Sequence, residues 1–441
     1  MNTAEGIKMG YDNDYLRSLV REDRVHGSIY TDPAIFEIEM ERIFGRVWVF
    51  VGHESQVPNP GDYFCTDIAR MPVVMTRGMN GAVNVIFNRC SHRGAKVVNS
   101  ESGNAKVLVC MYHGWGFGLD GELKGVPLRK DFPQQCLDRK EAGMGVVPRV
   151  ENYRGFVFAS LNPDAGPLAN YLGEAVRGID EIVDRAPDGA IELSAGCHRY
   201  VYDGNWKLQM DNLADMYHPV ACHMSTVDED GLQFKRRPGA EGGRAAFLGA
   251  DGEPVAIKTG VRGFTNGHSS EASLFGDSQG GAESHQRGGV IDEYRAGLIA
   301  LHGHEKTDDI LKNRRHSMTL FPNLDILMVQ TAVRVVIPLA WNRTEVRIYP
   351  VRLKGAPEEL NKQIIQFCNI THAAASFIQT DDLEAFRRQQ EGLAAPGPEW
   401  VLVARGFGDE IDEGNGVFFG PRASEVGQRM RHYAWRDLMT A

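Results

Sequence analysis

Two short loops, each with one cysteine and one histidine, place the strongest constraint on the fold of this chain. Cys90 and His92 lie in the loop CSHRG, and Cys110 and His113 lie in the loop CMYHGW. Zinc fingers keep their two cysteines together and their two histidines together. Because each loop here supplies one thiolate and one imidazole, the pattern favours a [2Fe-2S] cluster in which one iron binds both thiolates and the other binds both imidazoles. A zinc site is the alternative.

The segment around these loops has the pattern of a small β domain. From Arg46 to about residue 165, short β-type runs such as VWVFVGH, AVNVIFN and GFVFASL alternate with Gly, Pro, Asn and Asp. The dipeptide Asp120-Gly121 between alternating apolar residues predicts a β-hairpin. We therefore predict an all-β cluster domain at 46–165 and a second domain formed by 1–45 and 166–441.

Length, charge and hydropathy exclude several classes of protein. The 441 residues exceed what one hydrophobic core usually covers, and a net charge of −10 argues against nucleic acid as a partner. The longest apolar stretch, Thr331 to Trp341, is interrupted by Arg334 and Pro338, so no segment predicts a membrane span. No secretory signal is visible at the N-terminus, which predicts a cytoplasmic location where cysteines act as thiolates.

Outside the β domain the pattern mixes helices and strands, which predicts an α+β protein. The predicted helices cover 33–44, 206–217, 357–387 and 424–439, and the predicted strands cover 197–203, 315–320, 325–337 and 343–352. Residues 237–289 are rich in Gly, Ser, Glu and Asp and show little periodicity. This composition predicts a mobile loop or lid.

A second group of metal-binding side chains lies in the run NWKLQMDNLADMYHPVACH. Asp215 and His218, three residues apart, share a helical face, whereas His223 would diverge from His218 on a regular helix. Pro219 breaks the helix and lets His223 turn back towards His218. Two histidines completed by one carboxylate form a site for Fe(II) that leaves positions open for O2 and substrate. A helix C-terminus with a solvated Asp215 is the alternative.

The third ligand of such a site must come from elsewhere, and the long predicted helix after Pro357 offers two candidates. Asp382 ends one largely apolar stripe of this helix, and Asp381 ends the neighbouring stripe. The first stripe contains Ile364, Cys368, Thr371, Ala375 and Ile378. Periodicity leaves the choice between the two carboxylates open.

The motifs CSHRG…CMYHGW, NWKLQMDNLADMYHPVACH and QTDDLEAF together resemble the large (alpha) subunit of Rieske non-haem iron aromatic-ring-hydroxylating dioxygenases, over nearly the whole chain. The resemblance implies a Rieske domain joined to a helix-grip-like catalytic domain, in which helices cover an antiparallel sheet. It assigns the [2Fe-2S] cluster to Cys90, His92, Cys110 and His113. It assigns the mononuclear Fe(II) to His218, His223 and Asp382, the second residue of the Asp-Asp pair.

The resemblance also implies an activity and partners. A terminal oxygenase of this family takes electrons from NADH through a reductase, often with a ferredoxin, and adds both atoms of O2 to an aromatic ring as a cis-diol during aromatic catabolism. Asp215 would bridge a Rieske histidine of one subunit and an iron-bound histidine of its neighbour, which implies a homotrimer, with or without a small beta subunit (α3β3). The alternatives are a Rieske monooxygenase or demethylase and, in a different class, a Rieske electron-transfer protein.

The substrate pocket is the least constrained part of the sequence. Asn212, Met216, Val220 and Ala221 flank the predicted iron ligands, and the long helix adds His372. His372 is a candidate partner for a carboxylate or hydroxyl group of the substrate, with a buried and satisfied histidine as the alternative. An aryl carboxylate and a neutral arene are therefore both open as substrates.

Overall fold

The computed structural model describes residues 11–215, 217–223, 260–271, 289–312, 317–421 and 423–441. Its helices are α1 (Asn13–Ser18), α2 (Ser28–Thr31), α3 (Pro33–Arg42), α4 (Leu168–Leu172), α5 (Val176–Asp184), α6 (Trp206–Leu213), α7 (Pro219–Cys222), α8 (Gly289–Lys312), α9 (Glu358–His372), α10 (Phe377–Leu393) and α11 (Val426–Met439). Short 3-10 helices cover Glu54–Gln56, Arg129–Asp131, Gln134–Leu137 and Gly173–Ala175. None of the described helices is both long and apolar enough to cross a membrane.

The strands of the described residues are numbered in chain order. They are β1 (Arg24–His26), β2 (Val49–His53), β3 (Asp62–Ile68), β4 (Met71–Arg77), β5 (Val83–Phe87), β6 (Ser102–Asn104), β7 (Leu108–Val109), β8 (Gly116–Phe117), β9 (Leu123–Gly125), β10 (Arg149–Tyr153), β11 (Phe156–Ser160), β12 (Ile191–Glu192), β13 (His198–Tyr202), β14 (Gly260–Phe264), β15 (Ser269–Glu271), β16 (Met318–Leu320), β17 (Leu324–Leu327), β18 (Ala332–Ala340), β19 (Arg343–Pro350), β20 (Arg352–Leu353), β21 (Trp400–Leu402), β22 (Ile411–Gly414) and β23 (Val417–Pro421). Together with the helices they form an α+β protein, as predicted.

The described chain divides into two compact units. The smaller unit comprises Phe44–Leu168 with Glu192–Ser194, and the larger unit comprises the rest. Three antiparallel sheets build the smaller unit, with strand orders β5-β4-β3-β6, β7-β8-β9 and β10-β11-β2. Strands β8 and β9 form the predicted hairpin, and Gly121 in its turn has a φ of 82° that favours glycine.

The larger unit is built on a nine-stranded antiparallel sheet with the order β13-β19-β18-β17-β16-β15-β14-β23-β22. Strands β14 and β15 belong to it, so the prediction of a loop over 237–289 is wrong for residues 260–264 and 269–271, where pairing with β23 and β16 overrides the polar composition. Residues 237–259 and 272–288 lie outside the described residues. The predicted strand 325–337 is two strands, because the chain turns before Thr331, which has a φ of 51°.

The helix that precedes the predicted iron ligands is shorter than expected. We predict a helix over 206–217, but α6 ends at Leu213. The carboxylate of Asp215 accepts hydrogen bonds from the backbone N–H groups of Tyr217 and His218, at 2.7 and 3.2 Å, and so competes with helical bonding. Pro219 therefore does not break α6; it occupies the first turn of the separate helix α7.

The predicted helix 357–387 is also two helices. Helix α9 ends at His372 and α10 begins at Phe377, with the hydroxyl of Ser376 accepting a hydrogen bond from the N–H of Gln379 at 3.1 Å. Ala375 is exposed in the break, so the expected apolar stripe is not continuous. The break gives α10 its own direction, and α10 contacts α7.

Helix α6 is anchored in the larger unit by a buried carboxylate on α3. Glu39 is fully buried and accepts hydrogen bonds from the indole N–H groups of Trp206 and Trp435, at 2.9 and 2.7 Å. The ammonium group of Lys207 lies 2.5 Å from the same carboxylate. Because the carboxylate lies on α3 and its three partners lie on α6 and α11, these bonds hold the start of α6 in place.

Candidate functional site

The two Cys-His loops of the smaller unit have the same backbone hydrogen bonds. In each loop the cysteine N–H donates to the carbonyl oxygen five residues later, and the glycine N–H four residues later donates to the cysteine carbonyl. These distances are 2.8 Å for Cys90 to Ala95, 2.8 Å for Gly94 to Cys90, 2.8 Å for Cys110 to Trp115 and 3.0 Å for Gly114 to Cys110. The glycines have φ values of 74° and 70°, which favour glycine. The two loops are therefore equivalent turns that differ in the position of the histidine.

These turns bring the four predicted cluster ligands together. Cys90 and Cys110 are each 2 % exposed, and both belong to the same buried cluster of the smaller unit. The imidazole centroids of His92 and His113 are 4.6 Å apart, and His92 stacks on the indole of Trp115 at 4.8 Å. Two thiols and two imidazoles thus converge at one place on the β unit.

The chemistry of this group fits an iron-sulfur cluster. Burial raises the pKa of the Cys90 thiol, whereas the backbone N–H groups of His92 and Arg93 lower it by hydrogen bonding to the sulfur. Desolvation, with the neighbouring His113, lowers the pKa of His92, so this imidazole is neutral at pH 7, the form that binds metals. Its Nδ1 is buried and has no hydrogen-bond partner in the described part of the chain. Coordination would satisfy that nitrogen.

In the larger unit, His218, His223 and Asp382 meet. Each offers one ligand atom, and these atoms lie within 4.8 Å of one another. Nε2 of His218 and Nε2 of His223 lie 3.6 and 3.4 Å from the same oxygen, Oδ1 of Asp382. His223 and Asp382 are buried, whereas His218 is partly exposed. Two imidazoles and one carboxylate that converge on one side fit an Fe(II) site with open positions.

Asp381 has a different position from Asp382. Its Oδ2 lies 3.3 Å from Nδ1 of His223, on the ring nitrogen that does not face Asp382. Burial would lower the pKa of His223, but its contacts with Asp382 and Asp381 raise it. Burial would raise the pKa of Asp382, but His223 and His218 lower it. The geometry therefore favours Asp382 as the ligand and Asp381 as the partner that orients His223.

Asn212 contacts two of the three candidate ligands. Its Nδ2 lies 3.1 Å from Oδ1 of Asp382 and 3.2 Å from Nε2 of His218. The sequence predicts that Asn212 lies in the substrate pocket, and in the structure Asn212 lines the cavity beside the triad. An amide at the last turn of α6 thus links the anchored helix to the two ligands.

Asp215 differs from expectation. We expected its carboxylate to accept a hydrogen bond from His218, but Nδ1 of His218 lies 2.8 Å from the carbonyl oxygen of Asp215 and 3.7 Å from its Oδ2. The reason is the turn after α6, in which Oδ1 is occupied by backbone N–H groups. Asp215, His218 and Asp382 also line a groove of about 460 Å³.

A cavity of about 110 Å³ adjoins the three candidate ligands. Apolar residues form much of its described lining: Leu213, Pro219, Leu327, Val329 and Ile378. His372 lines it as expected, but burial lowers the pKa of His372 to about 3, so this imidazole is neutral at pH 7. Ala221 is exposed and is not part of the described lining, which corrects that expectation. Met216 and the side chain of Val220 lie outside the described residues.

The sequence analysis missed three polar residues of this cavity. Ser317, Gln330 and Arg334 line it together with the candidate ligands. The signal for Arg334 was visible, because it is the lone charge in the apolar stretch 331–341. In the sequence alone, Arg334 indicates only that this stretch does not span a membrane.

Two family models and several curated relatives match this chain. A family described as the ring hydroxylating alpha subunit (catalytic domain) matches residues 192–441, and the Rieske [2Fe-2S] domain matches residues 47–141. The chain is 34 % identical to the toluate 1,2-dioxygenase subunit alpha of Pseudomonas putida, over 97 % of this chain and 94 % of the relative. It is also 34 % identical to the large subunit of 2-halobenzoate 1,2-dioxygenase of Burkholderia cepacia, over 89 % of this chain and 83 % of that relative.

A solved structure has the same fold. The crystal structure of naphthalene 1,2-dioxygenase from Rhodococcus sp. bound to indole matches with a TM-score of 0.79 and 26 % identity, over 95 % of this chain and 94 % of that chain. Family models, relatives and structure thus agree over nearly the whole length. The chain belongs to the family of ring-hydroxylating alpha subunits, Rieske non-haem iron dioxygenases in which a [2Fe-2S] domain accompanies a mononuclear iron catalytic domain.

Proposed function

We propose that this protein is a terminal oxygenase that adds both atoms of O2 to an aromatic ring to give a cis-diol. The observation that carries the proposal is the convergence of His218 and His223 on Oδ1 of Asp382, beside a cavity with an apolar wall. When bound, the [2Fe-2S] cluster supplies electrons and the mononuclear Fe(II) supplies the site of O2 reduction. The names of the relatives, which act on toluate, 2-halobenzoate or naphthalene, support an aromatic substrate.

The cluster is held by Cys90, His92, Cys110 and His113 in a Rieske domain at 46–165. The mononuclear iron is held by His218, His223 and Asp382 in a catalytic domain formed by 1–45 and 166–441. The equivalent hydrogen-bonded turns of the two loops and the unpartnered Nδ1 of His92 support the first assignment. The positions of Asp382 and Asp381 on opposite nitrogens of His223 support the second.

Two hydrogen-bond acceptors of the catalytic unit orient the imidazoles of His223 and His218. Asp381 accepts a hydrogen bond from Nδ1–H of His223, so Nε2 is the nitrogen left free for a metal. The backbone carbonyl of Asp215 does the same for His218. Apolar residues such as Leu327 and Ile378 exclude water from the cavity and contact the ring of the substrate.

Asp215 links the iron site to an electron donor from another subunit. The groove that it lines also contains His218 and Asp382, and the exposed Leu402 contributes an apolar part of its wall. A homotrimer in which the Rieske loop of one subunit occupies this groove in the next would bring a cluster histidine to the Asp215 carboxylate. NADH, a reductase and a ferredoxin supply the electrons, and a small beta subunit completes an α3β3 assembly. We further propose that the enzyme acts in the cytoplasm.

The test is turnover with isotopically labelled oxygen. The purified protein, a reductase, a ferredoxin and NADH are incubated with a panel of aromatic compounds under labelled O2, and the products are analysed by mass. Two labelled atoms in a cis-diol are expected. One labelled atom would identify a monooxygenase or demethylase, and product formation by Asp382→Ala at the wild-type rate would refute the iron assignment. Cluster reduction without product from any compound of the panel would indicate an electron carrier.

A further inference from the structure

A buried cation lies in the wall of the catalytic cavity. Arg334 is 1 % exposed and lies near the start of β18, between the buried Val333 and Val335. It lines the same cavity as His218, His223 and Asp382. Among the described lining residues, Arg334 is the one side chain with a permanent positive charge.

The guanidinium group of Arg334 has a hydrogen-bond donor without a partner among the described residues. Its Nε donates to Oδ2 of Asp325 at 2.8 Å, across the β17–β18 pair. Its Nη2 is buried and has no hydrogen-bond acceptor within the described ranges. A buried polar group without a partner costs about 1–3 kcal/mol. The bond to Asp325 thus fixes the guanidinium of a residue that lines the cavity, and Nη2 of Arg334 and Oδ1 of Asp325 are both buried without a partner among the described residues.

The sheet register places the polar lining at one side of the cavity. Arg334 pairs with Asp325, and Leu327 pairs with Ala332, two residues further along the same strands and therefore on the same face. Ser317 immediately precedes β16, and Gln330 lies in the turn between β17 and β18. The cation and these two neutral donors are therefore grouped on the sheet, whereas the triad comes from the residues that flank α7 and from α10.

Arg334 is the group of the described cavity lining that offers a positive charge to an anion. Burial lowers the pKa of its guanidinium, but Asp325 and Asp382 raise it, so the group stays protonated. Asp325 is paired with Arg334, and Asp382 is assigned to the iron. Asp215 also lines the cavity, and its Oδ1 is occupied by backbone N–H groups. His372 is neutral and cannot supply the charge that a carboxylate needs.

We propose that Arg334 binds the carboxylate of the substrate, so the enzyme acts on single-ring arene carboxylates. The inference rests on the proposed function and specifies its substrate class. A carboxylate accepts the free guanidinium N–H in a charge-assisted hydrogen bond, with Ser317 and Gln330 as further donors, while the apolar wall packs on the ring. The described cavity of about 110 Å³ is smaller than the cavity of about 150 Å³ that binds benzene, so it has no room for a second ring.

A neutral arene should be disfavoured at this site. It would cover the guanidinium without offering an acceptor and would leave the buried N–H unpaired. Sites built to hydrogen-bond a substrate group discriminate strongly against analogues that lack the group, for this reason. Arg334 is therefore a specificity-determining residue rather than a catalytic one.

The experiment is a binding titration of the metal-loaded protein without O2, with benzoate and toluene as probes. Removing Arg334 alone would leave Asp325 buried and unpaired, so the variant is the double substitution Arg334→Met/Asp325→Leu, which replaces the pair with apolar side chains. We expect benzoate affinity to fall by about tenfold or more and toluene affinity to stay unchanged or rise. Asp325→Asn is the matched control, because it keeps the cation and should bind benzoate at least as tightly as the wild type.

Two results would overturn the inference. The first is wild-type protein that binds toluene more tightly than benzoate. The second is equal benzoate affinity in the wild type and the folded double variant, with folding checked by circular dichroism and an intact cluster spectrum. Turnover separates this inference from the proposed function: conversion of neutral arenes but not benzoate would leave the dioxygenase assignment standing, whereas conversion of neither would refute that assignment. The titration decides the role of Arg334 in both cases.

Discussion

Oδ2 of Asp381 lies 3.3 Å from Nδ1 of His223, while the neighbouring Asp382 meets Nε2 of the same ring at 3.4 Å. Two consecutive carboxylates thus take opposite nitrogens of one imidazole. Asp382 is buried, whereas Asp381 is partly exposed. This arrangement supports the proposal that Asp382 is the iron ligand and Asp381 the partner that orients His223, although the two residues have identical chemistry.

The two carboxylates should respond differently to substitution. Asp382→Ala should abolish turnover and remove the mononuclear iron, because a ligand is lost, while the cluster spectrum persists in the other domain. Asp381→Asn should keep the iron but lower its affinity or the activity by about 10- to 100-fold, as expected when the partner of a metal-bound histidine is weakened. Metal analysis and visible absorbance measure both. Loss of iron in Asp381→Ala with iron retained in Asp382→Ala would reverse the assignment.

The cluster assignment predicts a red-brown protein. After the mononuclear iron is removed, about two irons and two acid-labile sulfides should remain per chain, because one Rieske cluster has that composition. Cys110→Ser should lose the colour, whereas Cys136→Ser, which changes an exposed cysteine outside the two loops, should keep it. Zinc bound by a colourless wild-type protein would exclude a Rieske site.

Asp215 should matter for electron transfer rather than for metal binding. Asp215→Asn keeps an oxygen that can accept the backbone N–H groups of Tyr217 and His218, so the turn should be preserved. We expect both metals and a reducible cluster. If Asp215 bridges two subunits as proposed, loss of its charge should slow electron transfer to the mononuclear iron by orders of magnitude. Single-turnover kinetics measure this rate. Wild-type kinetics in a variant with both metals would refute the bridging role.

Stability should fall in mild acid because of His268. This imidazole is buried and neutral: Nδ1 accepts from the N–H of Phe321 at 3.0 Å, and Nε2–H donates to the carbonyl of Tyr171 at 2.9 Å. Burial lowers its pKa from 6.5 to about 4. The unfolded chain therefore binds a proton before the folded chain does, and stability present above pH 6.5 is lost as pH falls towards 4, by up to about 1.4 kcal/mol per pH unit.

Urea unfolding of the wild type and His268→Gln between pH 7 and pH 4.5 tests this expectation. The glutamine does not titrate, so the free energy of unfolding of the variant should depend less steeply on pH below 6.5. The variant should be less stable at pH 7, where the imidazole makes both hydrogen bonds. If the free energy of unfolding depended on pH in the same way in both proteins, His268 would not be the cause of the acid destabilisation.

The sequence by itself determined the family, the enzyme class and the kinds of cofactor, and these predictions are confirmed. They depended on local patterns: a cysteine and a histidine within one loop, two histidines around a proline, and Asp120-Gly121 in a hairpin. Such patterns act over a few residues, where backbone geometry and ligand chemistry leave few alternatives.

The tertiary structure alone decided which groups meet. Helical periodicity could not separate Asp381 from Asp382, because the predicted helix is two helices and its direction is set by the cap at Ser376 and by packing of α10 on α7. For a similar reason, the carboxylate of Asp215 accepts from the backbone N–H groups of Tyr217 and His218 and not from the imidazole of His218. Arg334 is a single charge in an apolar run, and only the pairing of β17 with β18 gives it Asp325 as a partner and a place in the cavity wall. Contacts between residues far apart in sequence depend on packing and register, which short patterns do not specify.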